Sequence, residues 1–246
     1  METTLILLTA AVFVLAGFVK GVVGLGLPTV ALALLGLMMS PAEAAALLVV
    51  PSVVTNIGQM LDGGPLRPIL LRLLPMLAGI CAATFVAALV LPAATGEWAS
   101  GLLGLALAVS AAMNLLKLEP GIPHGREKPT AVAVGAVNGV VTVATGVFVM
   151  PSVPFLRALN LPRDDFVRAL GLSFTVSSTT LALALMAQGV FRSDVALGSA
   201  LALLPALAGM KVGALCRHRL AGPVFKTLFD SSLLLLGLFM IAKALG

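Results

Sequence analysis

In GFVKGVVGLGLP, residues 17–28, one lysine stands among four glycines and a proline, inside sequence that is otherwise apolar enough to span a membrane. Glycine and proline are the residues that disfavour a helix interior most, and an ammonium group is costly in hydrocarbon. A break here frees backbone N–H and C=O groups, so it persists only where protein or a water-filled cavity satisfies them. A helix that begins beyond Gly26 aims its free N–H groups and its positive dipole end at the break, which suits an anion. Lys20 adds a full positive charge. Lys20, Gly21, Gly24 and Gly26 are therefore candidates for holding a small anion. The competing readings are close helix packing through the glycines and a lysine that reaches out to the cytoplasmic interface.

A second stretch, NGVVTVATGVFVMP at residues 138–151, repeats the pattern, with Asn138 in the place of Lys20 and with Thr142, Thr145 and Gly146 completing the candidate set. Two polar helices accompany the breaks. PSVVTNIGQ at 51–59 brings Ser52, Thr55, Asn56 and Gln59 onto one broad helical face. A primary amide needs several partners, so Asn56 and Gln59 are expected to line a polar pathway. LSFTVSSTT at 172–180 supplies hydroxyls, with Ser177 as a candidate donor; serine and threonine can also bond back to their own helix.

The elements that must position these residues are all membrane helices. The 246-residue chain is 60% apolar and 10% charged, with a mean hydropathy of +1.13, which reads as an all-α integral membrane protein. The formal charge of +5 comes from fifteen Lys and Arg scattered singly or in twos between apolar runs, so it marks loops and excludes a nucleic-acid surface. The first apolar run has Glu2 where a signal peptide carries basic residues, and reads as a retained segment. The heptapeptide LLPMLAG at 73–79 returns as LLPALAG at 203–209, and the order of glycine break, proline-led helix, heptapeptide and leucine-rich closing helix recurs around it. Residues 1–117 and 130–246 are thus two repeats joined by a cytoplasmic linker, 118–129.

Each repeat holds five apolar segments: 3–19, 23–39, 42–60, 67–92 and 98–116, then 130–145, 147–158, 164–187, 194–216 and 226–245. The first two of each are short for a bilayer. Counted as five elements, nearly all basic residues fall on one side, Arg192 and Lys243 on the other; counted as four, they divide almost evenly. The positive-inside rule therefore favours ten elements in two inverted five-element repeats, with both termini non-cytoplasmic. The short elements are either re-entrant hairpins or full spans. Lys211 and Asp230 lie at similar depth and are expected to pair. The acids of PRDDFVR, residues 162–168, cap a helix, and Arg168 there is long enough to reach inward. His124 and His218 are placed in solvated loops, and Cys81 and Cys216 are packing residues. No cofactor or metal is expected, and the absence of HExxH, GxSxG, Walker A and GxGxxG motifs points away from an enzyme.

A glycine-rich break ending in proline, repeated in the second half of a chain of this length with a central basic linker, resembles the TauE/SafE family of sulfite and organosulfonate exporters. The chain departs from it where TVATG carries Thr142 and Thr145 in place of glycines. The resemblance implies a multi-pass protein of the bacterial inner membrane that exports small sulfur-containing anions. A secondary transporter working by alternating access is the expected function; a passive anion channel or a non-transporting membrane subunit are the alternatives. Small anions and the lipid bilayer are the expected partners. A homo-oligomer, and coupling to protons or sodium, are compatible with it.

Overall fold

A computed structural model describes residues 2–118, 121–123, 125–220 and 222–246. His124 lies outside the described residues. The described chain is all-helical, in the order α1 (Glu2–Val23), α2 (Leu27–Leu35), α3 (Pro41–Leu61), α4 (Arg67–Val90), α5 (Glu97–Leu115), α6 (Glu127–Thr145), α7 (Ser152–Ala158), α8 (Arg163–Ala187), α9 (Ser193–Leu220) and α10 (Pro223–Leu245). Seven of these, all but α2, α6 and α7, are long and apolar enough to cross a membrane. α2 and α7, with 9 and 7 residues, reach only part of the way.

The helices approach closely through glycines. A Cβ on Gly17 or Gly21 of α1 would run into the backbone of α9 at Ala206, Met210 and Gly213. On α6, Gly135 and Gly139 meet α4 in the same way, at Met76, Ile80 and Thr84. Contact without side chains replaces the hydrophobic effect as the source of helix adhesion in lipid, since dispersion grows as backbones near one another. The repeated heptapeptides are the surfaces of these two contacts: Gly79 faces Val132 and Ala136, and Gly209 faces Val14 and Phe18. Both pairs run parallel, because later residues of one helix meet later residues of the other. α5 and α10 instead run antiparallel, Gly101 lying against Ala244 while Gly104 lies against Gly237. α3 packs on α8 between these pairs, and also on α9, while α8 also packs on α4.

α3 starts at a capping box in which Ser40 and Glu43 bond each other's backbone N–H. Pro51 inside α3 removes the N–H that would have bonded the Leu47 carbonyl. Ser199 of α9 repairs the gap: its hydroxyl donates to Leu47 O at 2.8 Å and accepts from Val50 N at 3.0 Å. Arg168 is buried, but it turns to the α3–α4 loop, where it donates to Pro65 O at 2.9 Å and pairs with Asp165. His218 belongs to the last turn of α9 and is exposed, not part of a loop as expected; the helix continues past the apolar run because Arg217 and Arg219 tolerate its C-terminal end.

The expected Lys211–Asp230 pair does not form. Lys211 is exposed, and Asp230 is buried against Asn114 of α5. Depth along the chain was the wrong guide, because α10 packs on α5 and not on its sequence neighbour α9.

Candidate functional site

The first break is narrower than the glycine pattern predicts. α1 continues helically through Gly21 to Val23, and the chain turns only at Gly24 and Gly26, with φ of 87° and 114°. Gly21 stays helical because α9 packs on it, and its carbonyl accepts from Arg217 Nε and Nη2 at 3.1 and 2.9 Å. Beyond the turn α2 folds back along α1, so that Gly26 sits against Val19. No side chain caps the start of α2.

Lys20 therefore lies in the last turn of α1, and it does not reach out to an interface. It is 5% exposed. Its ammonium donates to Thr55 Oγ1 at 3.0 Å and to Asn56 Oδ1, both on α3. Asn56 in turn donates to Ser52 Oγ at 3.2 Å, and Thr55 donates to Pro51 O at 2.7 Å. The bond from Thr55 is the usual return of a threonine hydroxyl to the carbonyl four residues earlier in its own helix. Every partner of the ammonium is thus a neutral oxygen on one helix.

The second break runs from Gly146, a left-handed residue at the end of α6 with φ of 77°, to Pro151. Asn138, fully buried, holds it: Nδ2 donates to Phe148 O at 2.8 Å and Met150 O at 3.0 Å, and Oδ1 accepts from Ser177 of α8 at 3.3 Å. Thr142 bonds back to Asn138 O, and Thr145 both bonds back to Val141 O and accepts from Val147 N at 3.1 Å. The Asn138 amide satisfies carbonyls in the unwound stretch and the Thr145 hydroxyl meets its Val147 N–H, which is what lets the break exist in a membrane. Gly146 packs against Leu32 of α2 and Ala45 of α3.

The structure thus brings Lys20 together with Thr55 and Asn56, and Asn138 with Ser177. Gln59 is elsewhere on α3, where it donates to Val167 O at 3.2 Å and ties α3 to α8. Three buried hydroxyls, on Thr84, Ser152 and Ser173, have no hydrogen-bond partner among the described residues. The Thr84 backbone abuts Gly139, Ser173 is one turn from Ser177 on α8, and Ser152 follows Met150 and Pro151. The sequence reading passed over Asn114, whose amide receives Arg157 Nη1 at 3.1 Å and donates to Asp230 at 3.1 Å. The signal was available, since Asn114 is the amide near the end of the apolar run SAAMNLL, residues 110–116.

No curated protein and no solved structure matches the chain. The family model described as sulfite exporter TauE/SafE matches residues 9–240, from the first helix to the last, and includes both breaks and both polar helices. The chain is a multi-pass membrane protein, and it belongs to the TauE/SafE sulfite exporter family.

Proposed function

We propose that this protein is a secondary transporter that exports small anions, sulfite or organosulfonates, across the bacterial inner membrane by alternating access, with Lys20 binding the anionic group. The observation that carries this reading is a buried ammonium whose hydrogen-bond partners, Thr55 and Asn56, are both neutral. A charge withdrawn from water without a counter-charge is worth several kcal/mol to whatever neutralises it, and a mobile anion does so. The start of α2 and the hydroxyls near Asn138 supply further donors. Gly24 and Gly26 let the α1–α2 turn approach the anion by backbone, while Thr142, Thr145 and Gly146 shape the opposite break.

Two inverted five-element repeats give the frame. The matched glycine contacts of α1 with α9 and of α6 with α4 support this arrangement, as each has the same spacing and the same heptapeptide partner. An odd number of elements per repeat makes corresponding helices antiparallel, in agreement with the packing of α5 on α10. The basic residues then put both termini on the non-cytoplasmic side.

The test is sulfite and sulfonate efflux from proteoliposomes. Lys20→Met keeps the bulk and removes the charge; it is expected to lower efflux about a hundredfold, the loss of roughly 3 kcal/mol expected for a charged hydrogen bond. Wild-type efflux from a correctly folded Lys20→Met protein would overturn the assignment. Saturation of flux with substrate separates a carrier from a pore.

A further inference from the structure

We propose that Asp230 is the proton-coupling site of this transporter, and that it acts on α7 through Asn114 and Arg157. The inference rests on the reading of the chain as an anion transporter. Among the described residues Asp230 is the acid that is buried, at 3% exposure, and a carboxylate inside a membrane protein is costly unless it works or is paired.

Its nearest partner is an amide and not a cation. Asn114 Nδ2 donates to Asp230 Oδ1 at 3.1 Å, and Arg157 Nη1 donates to Asn114 Oδ1 at 3.1 Å. A guanidinium has only donors, so the amide oxygen must face Arg157 and the amide nitrogen must face Asp230. The ionised carboxylate, which only accepts, fits that orientation. The charged groups that act on Asp230 are Arg157 from α7 and Lys226 from α10 itself. α5 adds the neutral Asn114, its acid Glu97 being at the far end, and α2, which also packs on α10, has no titratable residue.

These contacts join parts that otherwise touch little. α5 and α10 pack chiefly on one another. Arg157 sits in the last turn of α7, and α7 directly follows the break that Asn138 holds at Phe148 and Met150. While Asp230 is ionised, its charge draws Arg157 through the polarised amide and fixes α7 to the α5–α10 pair. A proton taken from one aqueous face converts the carboxylate to the neutral acid, and that attraction goes. α7 and the break are then free to shift, and the proton leaves to the other face when the link re-forms. No other reactant is needed.

The test uses the full chain in proteoliposomes, with labelled sulfite and labelled sulfoacetate as anions and a pH-sensitive dye inside. A pH step is expected to drive wild-type accumulation of anion against its gradient, and a sulfoacetate gradient to move protons. Asp230→Asn preserves shape and the bond to Asn114. It is expected to exchange anion at equal concentrations while accumulation falls about tenfold or more, and Asp230→Glu is expected to restore accumulation. Wild-type accumulation by Asp230→Asn overturns the proposal. So does wild-type anion flux with no proton movement, a result that needs no variant to fold. Wild-type vesicles that move neither anion overturn the transporter reading itself.

Discussion

Single residues in this protein do two kinds of work: some hold a charge and others mend the backbone. Ser199 is of the second kind, because it alone bonds both the Leu47 carbonyl orphaned by Pro51 and the neighbouring Val50 N–H. Ser199→Ala leaves the Leu47 carbonyl without its donor and is expected to destabilise the protein by about 1 kcal/mol or more, read as a lower melting temperature in detergent with sulfite affinity unchanged. Lys20 is of the first kind. Its type and its glycine setting were legible in the sequence, but its direction was not, because an ammonium three residues from a helix end reaches either inward or to the interface. The α3 oxygens decide it, and they are about thirty-five residues away in the chain, at a separation no local pattern encodes. Gln59 was expected on the same helical face as Thr55 and Asn56, yet about one turn further along α3 its amide donates to Val167 O on α8 instead.

At the scale of elements, glycine has two roles that the sequence alone merges. Gly24 has a left-handed φ of 87° and open space around it, so Gly24→Ala meets backbone strain but no neighbour; the cost expected is about 1–2 kcal/mol. Gly135 is helical and pressed against Met76 of α4. Gly135→Val is expected to separate α4 from α6 and to abolish a monodisperse peak on size exclusion, while Gly24→Ala elutes as the wild type. The apolar segment 23–39 suggested a longer second element than the Leu27–Leu35 that forms. Hydropathy records which residues avoid water, whereas helix length here is set by turn geometry at Gly24 and Gly26 and by the close of α2 at Gly36, wedged beside Leu103 and Met240. The heptapeptide repeat, by contrast, was fully visible, because helix contacts this close require the same small residues wherever they recur.

For the whole molecule, the order of packing carries the topology. Helix α9 lies on α1 and α10 on α5, which is why pairing Lys211 with Asp230 from their sequence neighbourhood failed. The proposed inverted arrangement predicts that cysteines introduced at Thr3 and Ala244, in a background without Cys81 and Cys216, react with an impermeant thiol reagent from the non-cytoplasmic side. Cysteines at Asp62 and Leu116 are expected to react only after the membrane is opened. Labelling of the Leu116 position from the same side as Thr3 would rule out an odd count of crossings in the first repeat. The Arg72–Glu127 pair between α4 and α6 is about 40% exposed on both sides, so its removal is expected to change stability by no more than about 1 kcal/mol.

Asn138 occupies the place that Lys20 holds in the other half, and that one difference has a thermodynamic consequence. A carrier made of two identical inverted halves would be degenerate: swapping the conformations of the halves turns the inward-open form into the outward-open form, so both would be equally populated. In the proposed carrier Lys20, bonded to Thr55 and Asn56, would lift this degeneracy, whereas Asn138 holds its own break with neutral bonds. On the proposed alternating-access reading, Lys20→Asn is expected to bring the two populations closer to parity, as distance measurements between spin labels on α2 and α7 would report.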